Sequence, residues 1–331
     1  MAEDRSGDVI VVGSGVIGLT TALVLAESGR RVRIWTREPA ERTTSAVAGA
    51  LWWPYAIEPQ DLARTWALRS LSVYEELAAR PDETGVRLVE GVMGETRLDE
   101  HGSWAAARLP GLRASTAEEY GGSGLWARLP LIDMPVHLGW LRARFLRAGG
   151  VVESRTVTDL AEARAAAPVV VNCAGLGARE LVGDPAVRPV RGQLVIVENP
   201  GIRTWLVSTD AVAGTTTYLF PQPGRLVLGG TTDAGESSLE PDPAVAAGIV
   251  ARCAVLRPEV AGARVLGHRV GVRPVRFAVR LERDACGGGV LVHNYGHGGG
   301  GVTVAWGCAE VALELVEGSA GGRVQARVRR G

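Results

Sequence analysis

The chain has 331 residues, 46% of them hydrophobic, which is enough for one large or two ordinary domains with a true core. Its 36 Lys and Arg balance 36 Asp and Glu, so bulk charge points to neither a nucleic-acid nor a membrane partner. No apolar run approaches the ~18 residues of a membrane span, Met1 to Asp8 lack a secretory apolar core and Arg327 to Gly331 carry no peroxisomal address, so the expected location is cytoplasmic.

The first element is the most informative. Val9-Ile10-Val11-Val12 reads as a buried strand running into Gly13-Ser14-Gly15-Val16-Ile17-Gly18, a Gly-x-Gly-x-x-Gly turn. In a dinucleotide site the first glycine makes the tight turn, the second admits the pyrophosphate to the backbone, and the third lets the helix pack on the strand. Ile17, Ala22, Leu25 and Ala26 keep near-helical spacing until Gly29, and Arg31 to Trp35 alternate as a second strand. The whole reads as a βαβ unit.

A loop of small and hydroxyl residues, Thr43 to Ala50, leads into Leu51-Trp52-Trp53-Pro54-Tyr55, an aromatic stretch that suits either a core or a pocket wall. Residues 62–80 show helical spacing, with Ala67, Leu71, Tyr74 and Leu77 on one face. Pro168 to Gly175 reads as a buried strand ending in a turn of small residues. Gln193–Val197, Thr217–Phe220 and Arg225–Leu228 are short β-rich runs, and Pro221-Gln222-Pro223-Gly224 joins the last two as a hairpin. This change of character predicts a separate antiparallel sheet inserted into an α/β domain. Val290 to His293 is a further strand, followed by Asn294-Tyr295-Gly296-His297-Gly298-Gly299-Gly300-Gly301 and a helical run Val302 to Val316. A second strand–glycine–helix junction again offers free backbone N–H groups to a ligand. His297, amid these glycines, reads as structural rather than as a base. The Gly-rich tail 317–322 is expected to fray. Cys173, Cys253, Cys286 and Cys308 are scattered without metal-ligand spacing and predict thiols with no disulfide and no metal; Cys173 and Cys308 sit in apolar surroundings as buried thiols.

Taken together, several motifs resemble the D-amino-acid oxidase family of flavoproteins. They are Gly13 to Gly18, Thr43-Thr44-Ser45, Leu51 to Tyr55, Val171-Asn172-Cys173-Ala174-Gly175, Arg191-Gly192-Gln193, Gly271-Val272-Arg273-Pro274-Val275-Arg276, Arg280-Leu281-Glu282-Arg283 and His293 through Cys308, and they span nearly the whole chain. The resemblance implies an α/β fold: a Rossmann-like FAD-binding domain of the glutathione-reductase type with an inserted antiparallel β-sheet substrate domain. The FAD domain is then discontinuous, 1–55, 137–185 and 265–325, with 56–136 and 186–264 forming the substrate domain. The implied cofactor is FAD.

Carried over position by position, Arg273 matches the arginine that clamps the substrate α-carboxylate, a task suited to a planar guanidinium fork. Tyr218 matches a tyrosine holding the same carboxylate, and Gly299 a glycine whose carbonyl receives the substrate amine. Trp53 and Tyr55 are expected to close the pocket. Cofactor contact is implied for Gly13, Ser14, Gly15, Val16, Ile17 and Gly18, for Arg37 or Glu38 at the ribose, and for Thr43, Thr44 and Ser45. It extends to Gly49, Ala50 and Leu51, to Val157 and Ala174, to Arg273, and to Gly298, Gly299, Gly300, Gly301, Val302 and Thr303. Three departures stand out. The ribose-binding acidic residue is displaced to the pair Arg37-Glu38, and Gly214 and Gly300 replace aromatic residues, which predicts a roomier pocket.

The implied reaction is oxidative deamination of a D-amino acid by hydride transfer from Cα to flavin N5, with no side chain serving as base. Imine hydrolysis then gives a 2-oxo acid and ammonia, and reoxidation by O₂ gives hydrogen peroxide. The expected partners are therefore a small D-amino acid and O₂, with a homodimer left open. The alternatives are a flavin amine oxidase for acidic D-amino acids, for glycine and secondary amines or for a pathway-specific amine, and a flavin-binding protein without turnover.

Overall fold

Alternating residues of the first strand decide the architecture. In a computed structural model, which describes residues 8–54, 57–97, 107–109, 111–210, 215–284 and 289–318, Val9 and Val11 of β1 (Asp8–Val12) face one apolar cluster while Ile10 and Val12 face another. A strand apolar on both faces needs cover on both faces. The helix α1 (Val16–Glu27) and β2 (Arg31–Thr36) complete the βαβ unit, with β1 and β2 parallel. The loop expected over 43–50 contains a single helical turn, α2 (Thr44–Val47), which packs on Gly271. Next comes α3 (Gln60–Leu77), whose Trp66, Ala67, Leu71, Tyr74 and Leu77 are buried as the spacing requires. It stops short of residue 80, because the chain turns into α4 (Pro81–Thr84), with proline in its first turn.

The strands β3 (Val86–Gly94), β4 (Arg113–Ala114) and β5 (Gly124–Ile132) follow, then α5 (Met134–Arg147), β6 (Val151–Ser154), α6 (Leu160–Ala166), β7 (Val169–Asn172) and α7 (Ala178–Leu181). Then come β8 (Arg188–Val197), β9 (Trp205–Asp210), β10 (Thr215–Gln222), β11 (Arg225–Gly229), β12 (Asp233–Ala234), α8 (Pro243–Leu256), β13 (Val265–Asp284), β14 (Val290–His297) and α9 (Gly301–Glu317). The strands β14, β7, β1, β2 and β6 pair side by side in parallel. One face of this array packs against α1, with α9, α3 and α5 beside it, and the other carries α6.

The strands inserted in the chain between β2 and β6 and between β7 and β14 pair antiparallel except at β3 and β9, which are parallel, and their ladder is not separate. The order β4-β5-β3-β9-β10-β11-β8-β13-β14-β7-β1-β2-β6 is continuous, with β12 attached to β8. The cause is the 20-residue length of β13, whose first half pairs with β8 and whose second half pairs with β14. The hairpin of β10 and β11 is tighter than the sequence suggested, since Pro221 and Gln222 stay in register with Leu226 and Arg225 and leave only Pro223-Gly224 as the turn. Likewise β14 runs on to His297, because Asn294, Tyr295 and His297 pair with β13. α8 covers the antiparallel strands through Ala246, Ile249 and Cys253. Cys173, Cys253 and Cys308 are free buried thiols, while Cys286 and the tail beyond Gly318 lie outside the described residues. No helix among the described residues is long and apolar enough to cross a membrane.

Three buried histidines couple this fold to pH. Burial lowers His137 from 6.5 to about 4 and His297 to about 3, and burial with the Arg280 charge lowers His293 to about 4. Each stays neutral in the fold and takes up a proton more readily once unfolded. Their stabilising effect is therefore complete above about pH 6.5 and is lost as pH falls toward 4. The urea midpoint should fall over that window, with protons taken up on unfolding, and His137→Gln should flatten the slope. A midpoint independent of pH from 6.5 to 4.5 would contradict this.

Candidate active site and dinucleotide cradle

The glycine turn after β1 is shaped by what lies against it. Gly13 has φ +109, and a Cβ there would come within 2.5 Å of the Cys173 carbonyl oxygen at the end of β7. A Cβ on Gly18 would collide with the Gly13 carbonyl, so α1 rests directly on the turn. At Gly15 a Cβ would crowd the Ser45 hydroxyl, 3.1 Å away, with the Thr43 hydroxyl at 4.0 Å, so glycine keeps the backbone clear beside both. Ser45 Oγ accepts the Val16 N–H at 2.9 Å and so sits at the positive end of α1. An open backbone, hydroxyls and a helix N-terminus form a cradle that fits a pyrophosphate.

The other hydroxyls take different posts. Thr43 Oγ1 donates to the Ala40 carbonyl, and Thr44 Oγ1 to the Val272 carbonyl at 2.9 Å, tying this loop to the strand that carries Arg273. Ser14 and Thr36 hydroxyls meet at 2.9 Å, and both donate to the Glu38 carbonyl. The side chains of Arg37 and Glu38 lie 3.8 Å apart, with Arg37 72% and Glu38 44% exposed. Val157 and Ala174 pack against one apolar cluster with Val12 and Trp35, beside the ends of β1 and β7.

The second glycine cluster meets the first. Gly298 has φ +55, the Gly300 N–H donates to the His297 carbonyl, and a Cβ on Gly301 would lie 3.8 Å from Ile17. The N-terminal ends of α1 and α9 therefore converge. Tyr74 Oη donates to the Val302 carbonyl at 2.8 Å, and Thr303 Oγ1 to the Trp53 carbonyl at 3.0 Å, which anchors the aromatic loop. Trp52 and Trp53 are both buried, so this loop is core on one side. Ala50 takes φ +61 so that its carbonyl accepts the Ile132 N–H, and Leu51 bridges to Leu131. Tyr55 and Gly214 lie outside the described residues.

Beside these helix ends the structure brings together Arg273, Tyr218 and Gly299. The Arg273 guanidinium lies over Gly192, where a Cβ would sit 2.5 Å from Nη2, and its Nη1 donates to the Thr231 carbonyl at 3.0 Å. Tyr218 lies close enough to Arg273 to feel its charge, stacks on Phe220 at 4.5 Å, and rests on Gly229 and Gly230, where any side chain would enter its ring. Gly49 closes the edge of that stack, its missing Cβ 2.8 Å from Phe220. Burial pushes the Tyr218 phenol up to about 12 against the pull of Arg273, so it remains a neutral donor beside a fixed cation. Gly299 is exposed, and a Cβ on it would lie 3.6 Å from Arg273 Cδ. A cation and a phenol beside an exposed glycine backbone suit a ligand bearing both a carboxylate and an amine.

A family model described as FAD dependent oxidoreductase matches residues 8–315. A D-amino-acid oxidase of Streptomyces coelicolor is 73% identical over 314 residues, covering 95% of this chain and 98% of that protein. This chain belongs to the D-amino-acid oxidase family of FAD-dependent oxidoreductases. A D-amino-acid oxidase of Rubrobacter xylanophilus is 48% identical, over 92% of this chain and 94% of its own. In fold, the oxidoreductase is similar to a glycine oxidase from Geobacillus kaustophilus, with a TM-score of 0.78, 21% identity and coverage of 94% of each chain. The cofactor is FAD, and the cradle around Gly15, with the converging ends of α1 and α9, fits it.

The sequence named Arg273, Tyr218, Gly299 and the glycine turn, which the structure brings near one another, but it assigned no role to Gly192, to Gly229-Gly230 or to Thr231. The Gly-Gly pair closing a strand was the one visible signal for them. Gly15→Val should press the cradle against Ser45 and lose FAD on gel filtration while the fold survives. FAD retained at parent stoichiometry, or release of FMN or NAD from denatured parent protein, would refute the assignment.

Proposed function

We propose that this oxidoreductase converts D-amino acids to 2-oxo acids, ammonia and hydrogen peroxide, using O₂, in the cytoplasm. The observation that carries the reading is the pairing of Arg273 and Tyr218 beside Gly299, next to the helix ends that fit FAD. It is supported by the activity named for the Streptomyces coelicolor and Rubrobacter xylanophilus relatives.

Arg273 and Tyr218 hold the substrate carboxylate and thereby fix the position of Cα. The Gly299 carbonyl accepts an N–H of the substrate amine, which orients the Cα–H. Bound FAD supplies the hydride acceptor and returns the electrons to O₂. The amine enters neutral, so no side chain has to remove its proton. His297, held at about 3 by burial, is neutral and cannot act as an acid there. The Gly298 and Gly300 N–H groups are taken by the Pro274 and His297 carbonyls, so the amide donors that would face bound FAD are those of the first turn of α9, Gly301 to Thr303. At the other end, Ser45 and the α1 N-terminus hold the pyrophosphate, and Glu38, the less exposed of its pair, takes the ribose.

Anaerobic bleaching of the bound flavin by a panel of D-amino acids tests the activity, with L-isomers, glycine and secondary amines as comparison. Arg273→Leu should weaken every carboxylate substrate by about 2–5 kcal/mol with FAD content unchanged. Equal turnover by the variant would sink the clamp.

The second expectation concerns size. Gly300 has φ −98 and ψ 8, a conformation that any residue adopts, so backbone strain does not call for glycine there, and we read the absent side chain as enlarging the substrate pocket. Large D-amino acids fill that space themselves, while D-alanine is held loosely, at a cost of about 1–3 kcal/mol. kcat/KM should therefore rise from D-alanine through D-valine and D-leucine to D-phenylalanine, and Gly300→Tyr should reverse the order. A parent preference for D-alanine that the variant leaves unchanged would show that another group fills the pocket.

A further inference from the structure

Arg191 is a buried arginine that the reaction does not use. It lies on β8, in register with Val272 on one side and Asp233 on the other. Side chains alternate along a strand, so Arg191 and Gln193 project from the face opposite Gly192, whose side carries the Arg273 guanidinium. The charge of Arg191 therefore points away from the substrate. Its nitrogens are taken up by the segment that follows β11. Nε donates to the Ser238 carbonyl at 3.1 Å, Nη1 to Asp233 Oδ2 at 3.1 Å, and Nη2 to the Glu240 carbonyl at 2.7 Å and to Gln193 Oε1 at 2.8 Å. Gln193 extends the grip, since its Oε1 accepts the Asp242 N–H and its Nε2 donates to the Asp242 carbonyl.

This segment, 231–242, has almost no regular structure beyond the two residues of β12, and most of it is exposed. Its first residue nevertheless has a demanding position. Thr231 Oγ1 accepts the Gln193 N–H at 2.9 Å, and the Thr231 carbonyl accepts from Arg273 Nη1. A segment this short of apolar contacts cannot hold one carbonyl in place by packing. Arg191 and Gln193 do so from behind the sheet, at Asp233, Ser238, Glu240 and Asp242.

We propose that Arg191 is a positioning residue for substrate binding: it anchors the 231–242 segment so that the Thr231 carbonyl sets the plane of the Arg273 guanidinium. The proposal rests on the reading that Arg273 receives the substrate carboxylate. Arginine suits the role because four acceptors lie around one planar group, which an ammonium cannot reach together.

The test uses FAD-loaded protein and two carboxylates, a D-amino acid substrate and propanoate, which lacks the amine. Arg191→Met should raise KM and the propanoate dissociation constant, read from the flavin spectrum, about tenfold. Asp233→Ala should raise both about threefold, and Arg191→Lys should restore only part of the loss. FAD affinity should stay within twofold of the parent, and kcat should fall by less than KM rises. A residue that merely holds the fold together would lower the melting temperature and leave KM and propanoate affinity of the folded fraction unchanged. That result in Arg191→Met overturns the proposal. If that variant does not fold, the same result in both Asp233→Ala and Arg191→Lys overturns it. Arg273→Leu separates the two readings. Unchanged propanoate binding there refutes the carboxylate clamp, whereas lost binding there with normal binding in the Arg191 variants refutes only the positioning role.

Discussion

One strand has to satisfy two partners, and the site depends on it. β13 pairs with β8 through its first half and with β14 through its second, with the register shifting between Val275 and Arg280. Arg273 stands just before that handover. Its backbone belongs to the antiparallel ladder through Val190, while the neighbouring Val275 opposite His297 leads to the glycines before α9. A shift of one residue in either ladder would turn Arg273 to the opposite face of the sheet. The Thr44 hydroxyl on the Val272 carbonyl fixes the same stretch from the third side, joining the 43–50 loop to the strand that carries Arg273.

The electrostatic character of the site follows from the same convergence. Two helix N-termini meet near Ile17 and Gly301, and a permanent cation lies beside them. The other titratable groups there, Tyr218 and His297, are held neutral by burial, one above and one below the physiological range. Neither of these two groups changes charge across ordinary pH, so they leave the positive ends of the helices and the guanidinium uncompensated. Both ligands the site is read to take, a dinucleotide and an amino acid, present anionic groups to it.

The elements written into the sequence most plainly are those whose burial is continuous. β1, β7 and the first half of β14 are apolar on both faces, and α3 shows its buried stripe, so periodicity was enough. Arg273 and Tyr218 were legible only through the motifs around them, since an arginine among arginines and a strand tyrosine have ordinary structural uses. What stayed hidden is held by long-range bonds. The continuity of the sheet turns on the length of β13, whose Arg269, Arg273, Arg276 and Arg280 interrupt any apolar pattern. Residues 231–242 are mostly polar, exposed and without period, and they are bonded to Arg191 and Gln193, which stand 49 residues earlier in the chain in the bonds to Glu240 and Asp242. Ala50 at φ +61 has no glycine to announce it, because its conformation is imposed by the Ile132 bond rather than by its own preference.

The glycines beneath the clamp have a thermodynamic consequence. Arg273 lies in the gap left at Gly192 and bonds the Thr231 carbonyl, and Tyr218 lies in the gap left at Gly229 and Gly230 and stacks on Phe220. Long, rotamer-rich side chains usually surrender about 0.5–1.5 kcal/mol of freedom each when a ligand immobilises them. Here that ordering happens when the chain folds, so any ligand that meets Arg273 and Tyr218 meets groups that are already still. Binding should thus carry a smaller entropic penalty than the same two side chains would impose on an open surface, and the gap glycines, which touch no substrate atom, are what make this possible.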